Sequence, residues 1–598
     1  PSVSTGRAQV SAALRVMEWG GSRELTVRHT ILDASNQAVS EVSESIRTCE
    51  GRTVASRLAF APVDNPQLWS VDRPYLYFVR TELLEGDSVI DFETNRLGFR
   101  WFEFDPHEGF SLNGQSMKLC GVNCHQDFPG LGPACPERFH RRDIEIMKAA
   151  GINFLRTSHY PRNERALDYC DELGILVMEE QPFWHGSLRS FHGEGLIDYG
   201  RRMMRDMVEH HGNHPSIIAW NTVNEVMLTP DDPDYHAPPE EKWKRRRLNE
   251  NECPFARRGL STLYDELKRC DPSRPVSMII GGSHKENESA GMTRLADMVG
   301  YNGGAFHAEL DGRPLYDIHK EQDPERIAFM SEGILNKNPA VRADWEKELV
   351  FWETPALHWS RIYERPWFCG GAMWVFADYS AKGVYRIRGM VDYSRLPYES
   401  YYFFQSQWTD ALMAHICCHW DWDVAEGTER RVVVFTNGEE AELFLNGDSC
   451  GIAQANRKAW PHLPHPPVEW TVPYRPGKLE VVVRRGDGQV RDERQTSGAP
   501  AGLWLETENG ELRADGQDVA FITATIVDAE GRRCYTAPET ELRVSVEGPA
   551  DAAVPPQFTA RGGVARFAVR GEAISGEIRV QVSGGGLAPS AITVRSVE

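Results

Sequence analysis

Apolar and polar positions alternate with a period of two through residues 1–107, and no stretch there carries a long helical pattern. Glu24 to Leu32 and Tyr75 to Leu83 each point side chains in and out in turn. Asp33-Ala34-Ser35-Asn36 and Glu85-Gly86-Asp87 supply turns between such runs. Short alternating strands broken by turns at this spacing predict an immunoglobulin-like β-sandwich.

The pattern changes near residue 108. Short apolar runs now alternate with segments of helical period. Strands are predicted at Met117–Val122, Ile152–Arg156, Ile175–Met178, Ser216–Trp220, Val276–Ile280, Met298–Tyr301, Ile327–Met330 and Gly371–Val375. Helices are predicted between them at 138–150, 164–173, 195–211, 254–269 and 340–364, with Gly151 and Gly174 as stops. Eight strands with helical connections over residues 108–411 are the rhythm of a (β/α)8 TIM barrel. A doubly wound open sheet is the rival, but no Gly-x-Gly-x-x-Gly follows the first strand. The stretch 227–253, rich in Pro and charge, reads as a surface loop near the barrel mouth.

From residue 412 the period returns to two. Arg431–Phe435, Ala441–Leu445 and Leu479–Val483 read as strands, and Asn446-Gly447 is a hairpin signal. Gly498-Ala499-Pro500-Ala501-Gly502 marks a boundary, giving a β-sandwich over 412–497 and an immunoglobulin-like sandwich over 498–598.

Length and composition set bounds on this picture. A chain of 598 residues is too long for one core. Its net charge of −21 disfavours nucleic acid and anionic membranes as partners. No apolar run reaches the roughly 18 residues of a membrane span. The 12 Cys are scattered without Cys-x-x-Cys spacing, so neither a zinc site nor a disulfide framework is signalled. Pro1 is not an initiator and no signal-peptide pattern follows it, so the chain reads as trimmed or as a fragment and the compartment stays open. A cytoplasmic setting with reduced thiols is favoured slightly over a secreted or periplasmic one. The 17 Trp suit large cores and also sugar-stacking platforms.

Two carboxylates stand out. Glu225 follows the fourth barrel strand and Asn224, and Glu332 follows the seventh. Carboxylates at strand C-terminal ends converge on one mouth of a barrel. A facing pair is what glycosidic cleavage needs: an acid for the leaving oxygen and a nucleophile for the anomeric carbon. The plainer reading is a turn Glu for Glu225 and a helix N-terminal Glu for Glu332. The pairing on the right strands favours catalysis.

Other strand ends carry polar clusters. Asn123, His125, Gln126 and Asp127 follow the first strand, and Arg156, Ser158, His159 and Tyr160 the second. Glu179 and Glu180 follow the third, and Trp374 and Asp378 the eighth. Buried polar groups need partners, which a packed core would not choose but a sugar with several hydroxyls requires. His210, His211 and His214 hint at a metal, but they sit beside a helix end and read better as a solvated cap, so no metal or cofactor is expected. There is no His-Glu-x-x-His and no Gly-x-Ser-x-Gly.

With these motifs the chain resembles glycoside hydrolase family 2, the β-galactosidase and β-glucuronidase family. The resemblance is sharpest in Gly121–Asp127, Arg156–Pro161, His214–Glu225 and Trp374–Asp378. It implies Glu225 as acid/base, Glu332 as nucleophile and Asn224 as partner of the sugar 2-hydroxyl. It implies His125, Asp127, His159 and Trp374 as contacts of the non-reducing sugar, and Tyr301 joins the expected substrate contacts. Family members usually begin with a sugar-binding jelly roll, whereas here a sandwich starts at once. Gly333 follows the expected nucleophile, where an aromatic residue or Ala is usual.

The resemblance leaves the sugar open. Family β-glucuronidases hold the substrate carboxylate with an Asn-x-Lys motif after the eighth strand, and Arg386-Ile387-Arg388 stands there in this chain. Two guanidiniums can clamp a carboxylate, or pair with local acids such as Asp392. The expected activity is that of a retaining, exo-acting β-glycosidase on a glycoside or oligosaccharide. β-Galactosidase is placed first on breadth of the family, and a β-glucuronidase or β-galacturonidase using Arg386 and Arg388 is the alternative. A non-catalytic carbohydrate-binding protein is the reading from a different class. Assembly into homo-oligomers is expected only by analogy with large members.

Overall fold

The computed structural model describes residues 2–3, 6–183, 194–225, 253–281, 292–310, 312–334, 342, 344–381, 383–551 and 556–598. Eight strands form a closed barrel in chain order. They are β1 (Leu119–Asn123), β2 (Phe154–Arg156), β3 (Leu176–Glu180), β4 (Ile217–Asn224), β5 (Val276–Ile280), β6 (Met298–Asn302), β7 (Ile327–Ile334) and β8 (Phe368–Trp374). The ladders from β2 through β6 are parallel.

The helices stop where the sequence says. The helix Glu164–Leu173 starts at Asn163, whose side chain accepts the Arg165 N–H, and ends at Gly174 with φ +75°. That left-handed turn needs glycine, because a Cβ at Gly174 would run into the Val71 backbone. Some elements differ from expectation. β4 and β7 run on through their polar residues, because in a barrel those side chains face a filled interior and the ladder continues. The helix expected over 340–364 is instead two, Trp345–Glu348 and Glu353–Tyr363. The loop expected at 227–253 lies outside the described residues, save Cys253, which opens a helix running to Cys270.

The described residues form two compact units. The first comprises Pro1–Leu119, Asn153–Ser331 and Trp367–Gly370. Its amino-terminal sheet pairs Ala38–Arg47, Glu24–Leu32, Tyr77–Glu85 and Ser88–Leu97 in that order, all antiparallel. This β region docks on barrel elements through buried polar contacts. Trp69 is fully buried and its indole donates to the Asp171 carbonyl at 2.8 Å. The Arg100 guanidinium donates to the Ile217 carbonyl at 2.5 Å and to that of Pro215. Burial, helped by nearby Arg274, pulls the Arg100 pKa down to about 9.

The second unit comprises Cys120–Ile152, Glu332–Pro366 and Gly371–Glu598. Two sheets, of three and four strands, face each other over residues 414–495 around Val434, Leu443 and Val481. Two more, of three and five strands, span 502–597 around Ile522, Phe567 and Val580. The last sandwich grips the helix Glu137–Ala149. Arg138 bonds Asp518 through two nitrogens at 2.6 and 2.5 Å. Phe128, Phe139 and Phe521 pack beside this pair. No described helix is long and apolar enough to cross a membrane.

Gly98 marks how tightly the first unit is packed. A Cβ there would sit 2.5 Å from Pro215 Cβ and 3.1 Å from that of Trp69. Gly98→Ala is expected to lower stability by about 1–3 kcal/mol through overpacking. Chemical denaturation of the two proteins checks this, and equal midpoints would contradict the packing described.

Candidate active site

In the first unit the polar strand ends are organised by one buried cation. Arg156, at the end of β2, is fully buried. It pairs with Glu180 at 2.6 Å and donates to Asn224 Oδ1 at 2.7 Å and to the Ser331 carbonyl at 3.3 Å. His159 Nδ1 lies 2.8 Å from the other Glu180 oxygen. Burial alone would push the Glu180 pKa up, but Arg156 and His159 outweigh it and hold the carboxyl below its ordinary value. Asn224, almost fully buried, is thereby fixed with its Oδ1 turned to Arg156.

Glu225 comes next and is half-buried. Its backbone has φ +49°, a conformation that residues with side chains rarely adopt and that clusters at functional positions. The Glu225 N–H donates to the Ile279 carbonyl at 3.1 Å. Asn302 Nδ2 donates to Glu225 Oε1 at 3.0 Å and to Asn224 Oδ1 at 3.2 Å, while Asn302 Oδ1 accepts the Ser331 hydroxyl at 2.6 Å. Gly281 completes the setting, because a Cβ there would land on the Glu225 carboxyl group.

The expectation for Tyr301 is corrected. Its hydroxyl lies 3.1 Å from His319 Nδ1, and its ring packs on Tyr316 and His319 of the helix Leu315–Gln322. Side chains alternate along a strand, so Tyr301 faces the helical layer, and Gly300 and Asn302 face the barrel interior. Asn302, next along the strand, is the residue that bonds Asn224 and Glu225. The alternation was visible in the sequence, but the ring of Tyr301 drew the assignment one position away.

In the second unit another cluster forms. The His125 ring stacks on Tyr379 with centroids 4.4 Å apart and meets the edge of Trp374 at 5.5 Å. Trp374 Nε1 donates to the Tyr379 hydroxyl at 3.2 Å. Burial raises the Tyr379 pKa; its bond with Trp374 and the charges of Arg388 and Arg386 oppose this, and the charge of Glu332 reinforces it. The charges of Glu332 and of both arginines are thus all felt at this phenol. Tyr379 itself was not foreseen, since nothing local marks it off from the other tyrosines. Asp127, raised by burial, accepts the Ser380 N–H at 2.9 Å and so ties the segment after β1 to that after β8.

Asp378 holds the loop that carries the two arginines. It accepts from the Tyr398 and Tyr385 hydroxyls at 2.7 and 2.8 Å and from the Arg388 and Gly389 N–H groups, both at 2.7 Å. Burial nonetheless pushes its pKa up to about 6. The alternative pairing of the arginines with Asp392 does not occur, because Asp392 binds Arg342 at 2.8 Å. Among the described residues neither the Arg386 nor the Arg388 side chain makes an ion pair.

The three histidines considered for a metal go separate ways. His210 Nδ1 meets the Asp206 carbonyl, His211 meets Glu179 and His214 meets Asp171. Asp168, Asp171 and His214 do come within 4.8 Å of one another. Arg96 and Arg165 already share Asp168, and His214 and the Ser216 N–H share Asp171. Two guanidiniums at the cluster disfavour a cation there.

Because Asn302 bonds both Asn224 and Glu225, Asn302→Ala is expected to cut kcat by about 10–100-fold through lost positioning. Thermal unfolding should still show a cooperatively folded protein, its midpoint lowered by the lost buried hydrogen bonds. Unchanged turnover on an aryl glycoside would contradict the role given to Asn302.

Comparison with known proteins adds an independent observation. The profile "Glycosyl hydrolases family 2, TIM barrel domain" matches residues 106–299, and "Glycosyl hydrolases family 2" matches 1–100. "Glycoside hydrolase family 2 C-terminal domain 5" matches 503–593, and a domain of unknown function matches 427–491. A β-galactosidase of Bacteroides ovatus is 28% identical over 92% of this chain and 68% of its own length. A β-glucuronidase of Formosa agariphila is 25% identical over 100% of this chain and 59% of its own. A family 2 glycosyl hydrolase structure from Bacteroides cellulosilyticus has a TM-score of 0.78 at 26% identity, covering 99% of this chain and 77% of that one. The chain spans 59–68% of the length of the first curated relatives it matches. With a closed eight-stranded barrel, flanking sandwiches and three family profiles along its length, the chain belongs to glycoside hydrolase family 2.

Proposed function

We propose that this protein is a retaining, exo-acting β-glycosidase that removes terminal non-reducing β-D-sugars by double displacement. The observation that carries this reading is Glu225, held in a left-handed backbone turn by its neighbours and bonded through its carboxyl to Asn302. In a parallel barrel the C-terminal ends of all strands open on one rim, and Glu332 belongs to β7 of the same barrel.

In the first step the Glu332 carboxylate attacks the anomeric carbon, while Glu225 gives its proton to the leaving glycosidic oxygen. The sugar is then held as an ester of Glu332. In the second step Glu225, now a carboxylate, takes a proton from water, and that water displaces Glu332 with net retention of configuration. Asn224 meets the sugar 2-hydroxyl. His125, Tyr379 and Trp374 offer a rigid aromatic wall, and His159 and Asp127 supply polar contacts.

For the sugar, the printed names of relatives divide between β-galactosidase and β-glucuronidase. The side chains of this chain favour a uronide. Arg386 and Arg388 have no ion pair among the described residues, Asp392 is taken by Arg342, and Asp378 fixes the Arg388 backbone. A planar carboxylate suits two such guanidiniums. A neutral galactoside is the second reading, supported by the relatives of that name.

Glu225→Ala is expected to lower turnover of a poorly activated glycoside by about 10²–10⁴-fold. Glu332→Ala is expected to lose about 10³-fold or more, with azide restoring product of inverted configuration. Wild-type rates in either variant end the assignment. Nitrophenyl β-glucuronide, β-galacturonide and β-galactoside distinguish the sugars. Uronide turnover lost in Arg388→Ala is the expected result, and galactoside turnover unaffected by that change would establish the second reading.

A further inference from the structure

A cavity of about 530 Å³ lies within the second unit, and none of the residues given a catalytic or sugar-binding role lines it, although Tyr398 and Arg342, which support the loop after β8, do. Its wall comes from the helix Trp345–Glu348, the helix Glu399–Trp408, the sheets of residues 414–495 and the last sandwich. Pockets of this size hold small organic ligands when a few polar groups converge on apolar walls. Here Trp345, Tyr402 and Tyr535 supply ring surface.

Two polar groups in this wall lack the partners their burial calls for. Glu348 is 2% exposed, and its Oε1 has no hydrogen-bond partner among the described residues. Buried carboxyl oxygens are almost always bonded, so this one marks a place for a hydroxyl donor. Burial, with Glu399 nearby, pushes the Glu348 pKa up to about 8, so at neutral pH the group is largely uncharged. Arg533 is the second. It donates to the Gly562 carbonyl through Nε and Nη2 and lies 4.2 Å from the centroid of Tyr535, but it meets no carboxylate among the described residues. Three other charges of the wall are matched, Arg342 with Asp392, Arg494 with Asp492 and Glu399 with His415, while Glu506, an exposed residue of the wall, makes no ion pair among the described residues. A cation with no counter-ion, a neutral buried carboxyl and exposed ring faces ask for one ligand with an anionic group, hydroxyls and an apolar face.

We propose that this cavity is a second, non-catalytic site that binds a small acidic saccharide, its carboxylate on Arg533, its hydroxyls on Glu348 and its ring against Tyr535. The proposal does not depend on which sugar the barrel cleaves, because no catalytic group is shared.

Calorimetric titration of the full chain with glucuronate, glucose and acetate tests it. Glucuronate carries ring and charge, and the other two carry one each. The expected result is glucuronate binding that weakens at least tenfold in Arg533→Met and in Thr525→Tyr, which fills the cavity from another wall. Glucose and acetate should bind at least tenfold more weakly than glucuronate. Turnover of a nitrophenyl glycoside should be unchanged in both variants, which separates this site from the barrel mouth. Glucuronate affinity equal in wild type and a folded Thr525→Tyr would overturn the proposal, as would the absence of binding beyond that blocked by a substrate analogue.

Discussion

A fully buried guanidinium, that of Arg156, is the constraint on which the site rests. Moving such a charge out of water costs several kcal/mol unless it is paired and hydrogen-bonded. The chain meets that cost with Glu180 from β3, the Asn224 amide from β4 and the Ser331 carbonyl from β7. One cation therefore ties the ends of four strands. From Asn224 the order passes to Asn302 and from there to the Glu225 carboxyl. The Glu225 carboxyl is thus placed by packed, hydrogen-bonded polar groups on rigid strands. Such groups hold one arrangement because a half-bonded network in the interior is more costly than none.

The second unit uses the same logic with a carboxylate. Asp378 is buried and its charge is opposed by that burial, yet four donors converge on it. They fix the loop from which Arg386 and Arg388 project. Behind it, Arg395 is fully buried and bonds Asp143 at 2.9 and 3.0 Å, while Arg566 of the last sandwich donates to the Arg395 carbonyl. The carboxy-terminal domain thus contributes to the placement of a loop after β8, although it carries none of the expected catalytic residues.

The sequence made the barrel legible because its signals are local. Gly174 had to end a helix, Asn446-Gly447 had to turn, with φ of +54° and +88°, and Val276–Ile280 was a run too short and apolar for anything but a buried strand. Glu225 stood out in the sequence because a charged residue at the end of a buried strand needs a reason. What stayed hidden is set by neighbours distant in sequence. Nothing near Gly281 says that its missing Cβ leaves room for Glu225. Nothing near Asp392 says that Arg342, rather than Arg386 or Arg388, will take it. Tyr301 was lost to a one-residue choice of strand face, where an aromatic ring looked more suited to sugar than the small amide beside it. The break between Trp345–Glu348 and Glu353–Tyr363 likewise follows from tertiary packing, with Trp352 fully buried at the junction.

In the mechanism proposed above, Glu332 becomes covalently bonded to sugar during turnover. A 2-deoxy-2-fluoro glycosyl fluoride of the preferred sugar slows the second step and lets that ester accumulate. Peptide mass spectrometry of the inactivated protein is predicted to find one fluorosugar per chain, attached at Glu332. A label on any other carboxylate, or full inactivation with no label, would contradict the mechanism.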